Sequence, residues 1–183
     1  MNKFFSFFLE ILQIVFLALV VVLPIRYFVF QPFIVKGQSM EPNFEEGDYL
    51  IIDEITYRFR EPKRGEVIVF KNPKNPSQKF IKRIVGLPGE TIEIEEGKVI
   101  VLKDGEKKVL DESSYLNSSY TYGNLKISLS ENEYFVLGDN RSFSFDSRQF
   151  GPVQKKQIIG RVVLRLWPIS FSLAKVKIEA PNY

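Results

Sequence analysis

Residues 4–25 read FFSFFLEILQIVFLALVVVLPI, and only Glu10 and Gln13 in that run are strongly polar. As a helix the run spans roughly 33 Å, enough for a bilayer core of about 30 Å. Tyr27, Phe28 and Phe30 follow, with Arg26 beside them, a grouping typical of a membrane–water boundary. A cleaved leader needs small residues before its cleavage point, and LPIRYFVFQPF offers none. A buried core helix is the other competitor, but the stretch shows no polar face. The expectation is a retained N-terminal transmembrane helix over residues 9–29. Lys3 and Arg26 flank the run almost equally, so charge alone does not orient it.

Beyond the run the texture changes to short strands and turns. Candidate strands are 49–53, 66–70, 80–85, 91–95, 98–102, 133–137 and 161–166, rich in Val, Ile, Phe and Tyr and bounded by Gly, Pro, Asn and Asp. Glu96-Gly97 between two alternating runs predicts a tight hairpin. Asn72-Pro73-Lys74-Asn75-Pro76 predicts a loop, since two prolines in four positions break a ladder. Residues 103–130 are polar and less patterned, and predict an excursion from the main sheet. The soluble part is therefore mainly β, with little helix beyond the N-terminal one.

Two absences narrow the chemistry. The chain has no histidine and no cysteine. A Ser-His-Asp triad, a thiol nucleophile, disulfides, His- or thiolate-bound metal and iron–sulfur clusters are excluded. The balance of 25 basic against 22 acidic residues is too slight to suggest nucleic acid as a partner. A Ser nucleophile with a Lys base, paired carboxylates or a carboxylate-bound metal remain open.

Three segments could carry such chemistry. In Gly37-Gln38-Ser39-Met40-Glu41-Pro42 a serine sits in a turn after the apolar Phe33-Ile34-Val35. Gly37 permits tight or left-handed backbone there, so hydroxyl and N–H can face one point. In Phe80-Ile81-Lys82-Arg83-Ile84-Val85 two cations interrupt an apolar strand. Alternation puts Lys82 with Phe80 and Ile84, and Arg83 with Ile81 and Val85. Arginine stays charged, whereas a desolvated lysine can lose its proton. An unperturbed lysine is neutral in roughly one molecule in 250 at pH 8, and burial can lower its pKa by about 3–5 units. The plain alternative is an edge strand with two solvated charges. In Gly138-Asp139-Asn140-Arg141-Ser142-Phe143-Ser144-Phe145-Asp146-Ser147-Arg148, Asp139 and Asp146 could each hold an arginine, Arg83 among them, and a serine could orient a lysine amine. The interleaved arginines make a carboxylate metal site the weaker option, and a solvated hairpin loop is the plain one.

The order of these segments, with Gly47-Asp48, Gly86-Leu87-Pro88-Gly89, Gly160-Arg161 and Trp167-Pro168, closely resembles bacterial type I signal peptidases, in the compact form of many Gram-positive bacteria. The resemblance covers roughly residues 10–170. It implies a signal-peptidase-like β-barrel or sheet domain over residues 30–183, extracytoplasmic, with a small insertion at about 90–130, and residues 1–8 as a short cytoplasmic N-terminus. It implies that Ser39 attacks the scissile carbonyl and that Lys82 is the general base. Ser144 matches the serine that hydrogen-bonds the lysine amine, and Arg83, Asp139, Asp146 and Arg148 match residues that shape the site. The Ser39 N–H is the implied oxyanion donor. Gly37 stands where some relatives carry a serine that supplies the second donor, so a water or another backbone N–H takes that part here. Phe143 and Phe145 are bulkier than the family pattern.

The same resemblance implies cleavage of secretory preproteins after small residues, Ala-x-Ala, with no cofactor and no metal. Phe33, Val35, Met40, Phe44, Phe80 and Ile81 match positions lining the shallow pockets, where filled apolar walls admit Ala and reject larger side chains. An extended substrate would pair with 33–35 and 80–82. The lipid bilayer and the export translocon are the implied partners. Two rivals stay open at this level: a soluble self-cleaving repressor-type Ser–Lys peptidase, and a membrane-anchored β domain that binds a partner and catalyses nothing.

Overall fold

The structure is a computed structural model that describes residues 3–28, 30–116 and 120–167, with side chains of the N-terminal helix described for residues 7–20. That helix, α1, runs Lys3–Phe28. The side chains of residues 7–20 are all exposed, Phe7, Leu12, Ile14 and Phe16 among them. Among the described residues no helix is long and apolar enough to cross a membrane.

The rest is two antiparallel sheets. The larger is built from β1 (Phe30–Ile34), β2 (Tyr49–Asp53), β3 (Val67–Lys71), β4 (Lys79–Gly86), β9 (Glu133–Leu137), β10 (Val153–Gln154) and β11 (Ile158–Trp167), in the order β1-β2-β11-β3-β4-β9-β10. The smaller uses β5 (Thr91–Glu95), β6 (Lys98–Lys103), β7 (Glu106–Val109) and β8 (Leu125–Ser128), in the order β7-β6-β5-β8. β1 is a sheet edge, which is why it tolerates Pro32. The Glu96-Gly97 hairpin forms with both residues at positive φ, 49° and 77°, the geometry of a type I′ turn between β5 and β6.

Three differences from the sequence expectation have physical causes. β1 starts within two residues of α1, so the strand expected only around 33–35 begins at Phe30, in residues read as a membrane boundary. Residues 103–130 do leave the main sheet, but they are more ordered than their pattern suggests, since they supply β7 and β8 of the smaller sheet and bury Leu110, Tyr115, Leu116 and Leu129. β7 shows no buried position, so alternation could not reveal it. A four-residue helix, α2 (Ser147–Phe150), closes the loop after β9, capped by the Asp146 side chain, while the Asp146 N–H donates in return to Gln149 Oε1.

Three apolar clusters hold the sheets. One packs Val35, Met40, Phe44, Leu50, Ile52 and Val162 under β1, β2 and β11. Another joins Val85, Phe135 and Leu137 of the large sheet to Ile92, Ile94 and Val99 of the small one. The third packs Ile68, Phe70, Ile84, Val136 and Phe150. β4 contributes to all three through Ile81, Val85 and Ile84, so this strand is buried on both faces.

Candidate active site

β4 lies inside the sheet between β3 and β9, not at an edge, and that fixes the fate of its two cations. Lys82 and Arg83 are 3 % and 2 % exposed. Being adjacent, they leave opposite faces of the strand. Arg83 is held by Asp139, with Nε to Oδ1 at 2.9 Å and Nη2 to Oδ2 at 2.6 Å. It also donates to the Gly65 carbonyl at 2.8 Å and lies over the Tyr115 ring.

Lys82 has no such partner among the described residues. Its Nζ lies 2.6 Å from Ser39 Oγ and 2.8 Å from the Ile81 carbonyl. Burial lowers its pKa from the ordinary 10.5 to about 8, while Asp146 and Asp139 pull it back upward. Desolvation outweighs both carboxylates because each already faces its own arginine.

Ser39 is placed from below and from the side. Its turn begins at Gly37, whose φ of 80° suits glycine. Met40 and Phe44 just after it are fully buried in the first cluster and tie the turn to the core. From the side, Asn140 N–H donates to the Ser39 carbonyl at 3.1 Å and Asn140 Nδ2 to the Gln38 carbonyl at 3.1 Å. Gly138 lies so close that an added Cβ would meet both the Ser39 carbonyl and Ser144 Oγ. The Ser39 N–H makes no hydrogen bond among the described residues, so it is free to face a reacting oxygen.

Asp146 accepts from Gly138 N at 3.1 Å and from Arg148 Nε and Nη2 at 2.8 and 2.9 Å. Arg148 also donates to the Arg141 carbonyl at 2.8 Å, closing the loop on itself. The bond expected from Ser144 to the Lys82 amine is not formed. Ser144 Oγ is buried without a hydrogen-bond partner among the described residues, and it packs against Gly138 while the amine is taken by Ser39 and Ile81.

A cleft of about 380 Å³ opens over the Ser39–Lys82 pair. Phe33, Phe80 and Ile81 line it. Val35, Met40 and Phe44 do not: they are core side chains beneath the turn, a correction that follows from their full burial. Phe143 and Phe145, noted in the sequence only for their bulk, form one wall of the cleft. Phe145 meets Phe80 edge-on at 6.1 Å and Phe150 at 5.5 Å.

Sequence reasoning missed Glu112, Thr121 and Asn43. Glu112 forms a buried bidentate pair with Arg141, at 2.8 and 2.6 Å, and Thr121 Oγ1 joins them. Asn43 Nδ2 donates to Asp139 at 2.8 Å. Glu112 and Thr121 lie in the segment without periodic pattern, and only their long-range partners single them out.

The family model described as signal peptidase, peptidase S26, matches residues 8–167. The chain belongs to this family. A probable signal peptidase I-2 from Synechocystis sp. is 41% identical over 160 residues, covering 83% of this chain and 70% of that one. Signal peptidase I from Bacillus caldolyticus is 36% identical over 164 residues, covering 84% and 88%. A solved signal peptidase I from Enterococcus faecalis V583 is 33% identical, with a TM-score of 0.47, and the match covers 57% of this chain and 98% of that one. Membership of the signal peptidases decides against the repressor-type rival.

Proposed function

We propose that the protein removes N-terminal signal peptides from secreted preproteins, with Ser39 as nucleophile and Lys82 as general base. The observation that carries this is a buried amine 2.6 Å from a hydroxyl, with its pKa lowered to about 8. A preprotein segment lies extended in the cleft between β1 and β4, adding backbone hydrogen bonds at the free β1 edge. Neutral Lys82 takes the proton as Ser39 Oγ attacks the scissile carbonyl. The developing oxyanion meets the Ser39 N–H. The ammonium then protonates the leaving amine, and an acyl-enzyme remains on Ser39. Lys82 next deprotonates the water that releases it. Arg83 cannot replace Lys82 in this cycle, because guanidinium keeps its proton.

The aromatic walls Phe33, Phe80, Phe143 and Phe145 leave shallow space, which favours small residues such as Ala at the two positions that point inward. Residues 9–29 act as the anchor: α1 covers Lys3–Phe28, 26 residues and about 39 Å long, and the apolar side chains described along it, within residues 7–20, are exposed. The catalytic domain then works on the extracytoplasmic side.

The test uses the full chain in neutral detergent and a preprotein with an Ala-x-Ala cleavage site. Wild type should cleave it. Ser39→Ala should be inactive, and Lys82→Met and Lys82→Arg should each lose about 10²–10⁴-fold or more. Near-wild-type rates in the Ser39 or Lys82 variants, with folding intact, end the dyad assignment. Inactive wild type favours the non-catalytic binding domain.

A further inference from the structure

A second depression of about 460 Å³ lies on the same molecule, and Lys79 lines both it and the cleft. Its walls carry five cations, Arg58, Lys71, Lys79, Lys155 and Lys156, against one carboxylate, Glu54. Lys155 is paired with Glu61. The other four make no ion pair among the described residues. Lys71 and Lys79 stand directly opposite each other on β3 and β4. Like charges so placed weaken a sheet. All four side chains are exposed, so water screens them in the free protein and an anion from outside would relieve their repulsion.

Two further observations narrow what that anion is. Glu54 is the one carboxylate among the described lining residues, and one of its oxygens is buried without a hydrogen-bond partner among the described residues, so it neutralises none of the four cations. Gln31 also lines the pocket, three residues beyond the last residue of α1. If α1 is the anchor, the pocket therefore sits at headgroup level.

We propose that this pocket binds the phosphodiester headgroup of an anionic lipid such as phosphatidylglycerol. The phosphate lies among Arg58, Lys71, Lys79 and Lys156. This rests on α1 acting as the anchor. Its consequence is a fixed height and tilt of the Ser39 cleft above the bilayer, because Lys79 belongs to both cavities.

The experiment uses the isotope-labelled full chain in neutral maltoside micelles doped with phosphatidylglycerol or phosphatidylcholine. Phosphatidylglycerol should shift the backbone amides of Gln31, Lys71, Lys79 and Lys156 saturably, and phosphatidylcholine should not. The double variant Lys71→Gln/Lys156→Gln should keep a dispersed amide spectrum and bind phosphatidylglycerol roughly 30-fold more weakly, about fivefold per cation removed. Equal affinity in the double variant, equal response to both lipids, or the same shifts with inorganic phosphate alone each overturn the proposal. Carbonate extraction of membranes tests the anchor separately. Release of the chain would remove α1 from the bilayer, whereas a silent pocket in a carbonate-resistant chain fails the lipid site alone.

Discussion

Glu112 holds Arg141 with both carboxylate oxygens, at 2.8 and 2.6 Å, where neither side chain reaches solvent. The pair ties the segment before β8 to the loop after β9. Arg141 passes the restraint on, donating from Nε to the Gly138 carbonyl at 3.0 Å. Tyr115 OH adds a bond to Glu112 at 2.5 Å, and its ring lies under Arg83. A removed Glu112 leaves a charged guanidinium buried without its counter-ion. Glu112→Ala should cost about 3–5 kcal/mol, read from urea unfolding of the solubilised chain. Cleavage should fall with it, since the Gly138 turn loses its brace. Glu112→Leu with Arg141→Met should recover much of the stability but not the full rate. A Glu112→Ala protein as stable as wild type refutes the brace.

Cleavage should depend on pH through Lys82. The amine works as a base only when neutral, so the rate should rise about tenfold per unit below about 8 and level off above it. Stability carries the same signature. The unfolded chain keeps the ordinary value of 10.5, so between about 8 and 10.5 it binds more protons than the folded chain. Stability contributed by this group is therefore flat below 8 and rises with pH across that window. Lys82→Met removes the buried charge and should add up to about 3 kcal/mol at pH 7, an advantage that fades by 10.5. Parallel stability profiles in the two proteins, measured by denaturant titration from pH 6 to 10, exclude a buried amine of this kind.

Phe145 is 47 % exposed yet shares its ring contacts with Phe80 and Phe150 at the cleft wall. Phe145→Ala should widen the space facing the scissile bond. Stability should change by under about 1 kcal/mol, as for a half-exposed side chain. Preference for Ala over Val before the cleavage point should drop by about tenfold, the scale of a few methylenes in an apolar pocket. Competition between the two preproteins measures it, and an unchanged ratio removes Phe145 from the specificity wall.

Local chemistry made most of the sheet legible. Strands 49–53, 91–95 and 133–137 agree with their observed limits, because alternation and turn residues agree there. Two cations in an apolar strand also marked Lys82 and Arg83, since a buried charge needs a partner or a role. What stayed hidden depends on distant pairing. Pro32 obscured β1, whose place at an edge only the sheet order reveals. Glu112 looks like any acid in a polar segment until Arg141, 29 positions away, closes on it. The family resemblance places Met40 and Phe44 at the substrate pockets, yet both side chains are packed into the core cluster here. Ser144 lies beside the site without its expected bond, as a single rotation of a hydroxymethyl group is below what sequence can specify.

Gly138 gives the most local test of how Ser39 is aimed. An alanine Cβ at this position would overlap the Ser39 carbonyl and the Ser144 side chain. The side chain could turn away, but the carbonyl is backbone and is already held by Asn140 N–H at 3.1 Å. Gly138 itself is fixed at both ends, its N–H by Asp146 and its carbonyl by Arg141. The strain therefore moves the Ser39 turn away from Lys82. A displacement of about 1 Å costs roughly 10²-fold in rate, while overpacking costs about 1–3 kcal/mol in stability. Gly138→Ala should accordingly remain folded at low temperature and lose most of its cleavage. Adding Ser144→Gly removes only the flexible contact, so the rate should stay low. Restoration of wild-type cleavage by that second change would mean that the Ser144 side chain, and not the Ser39 backbone, is what Gly138 makes room for.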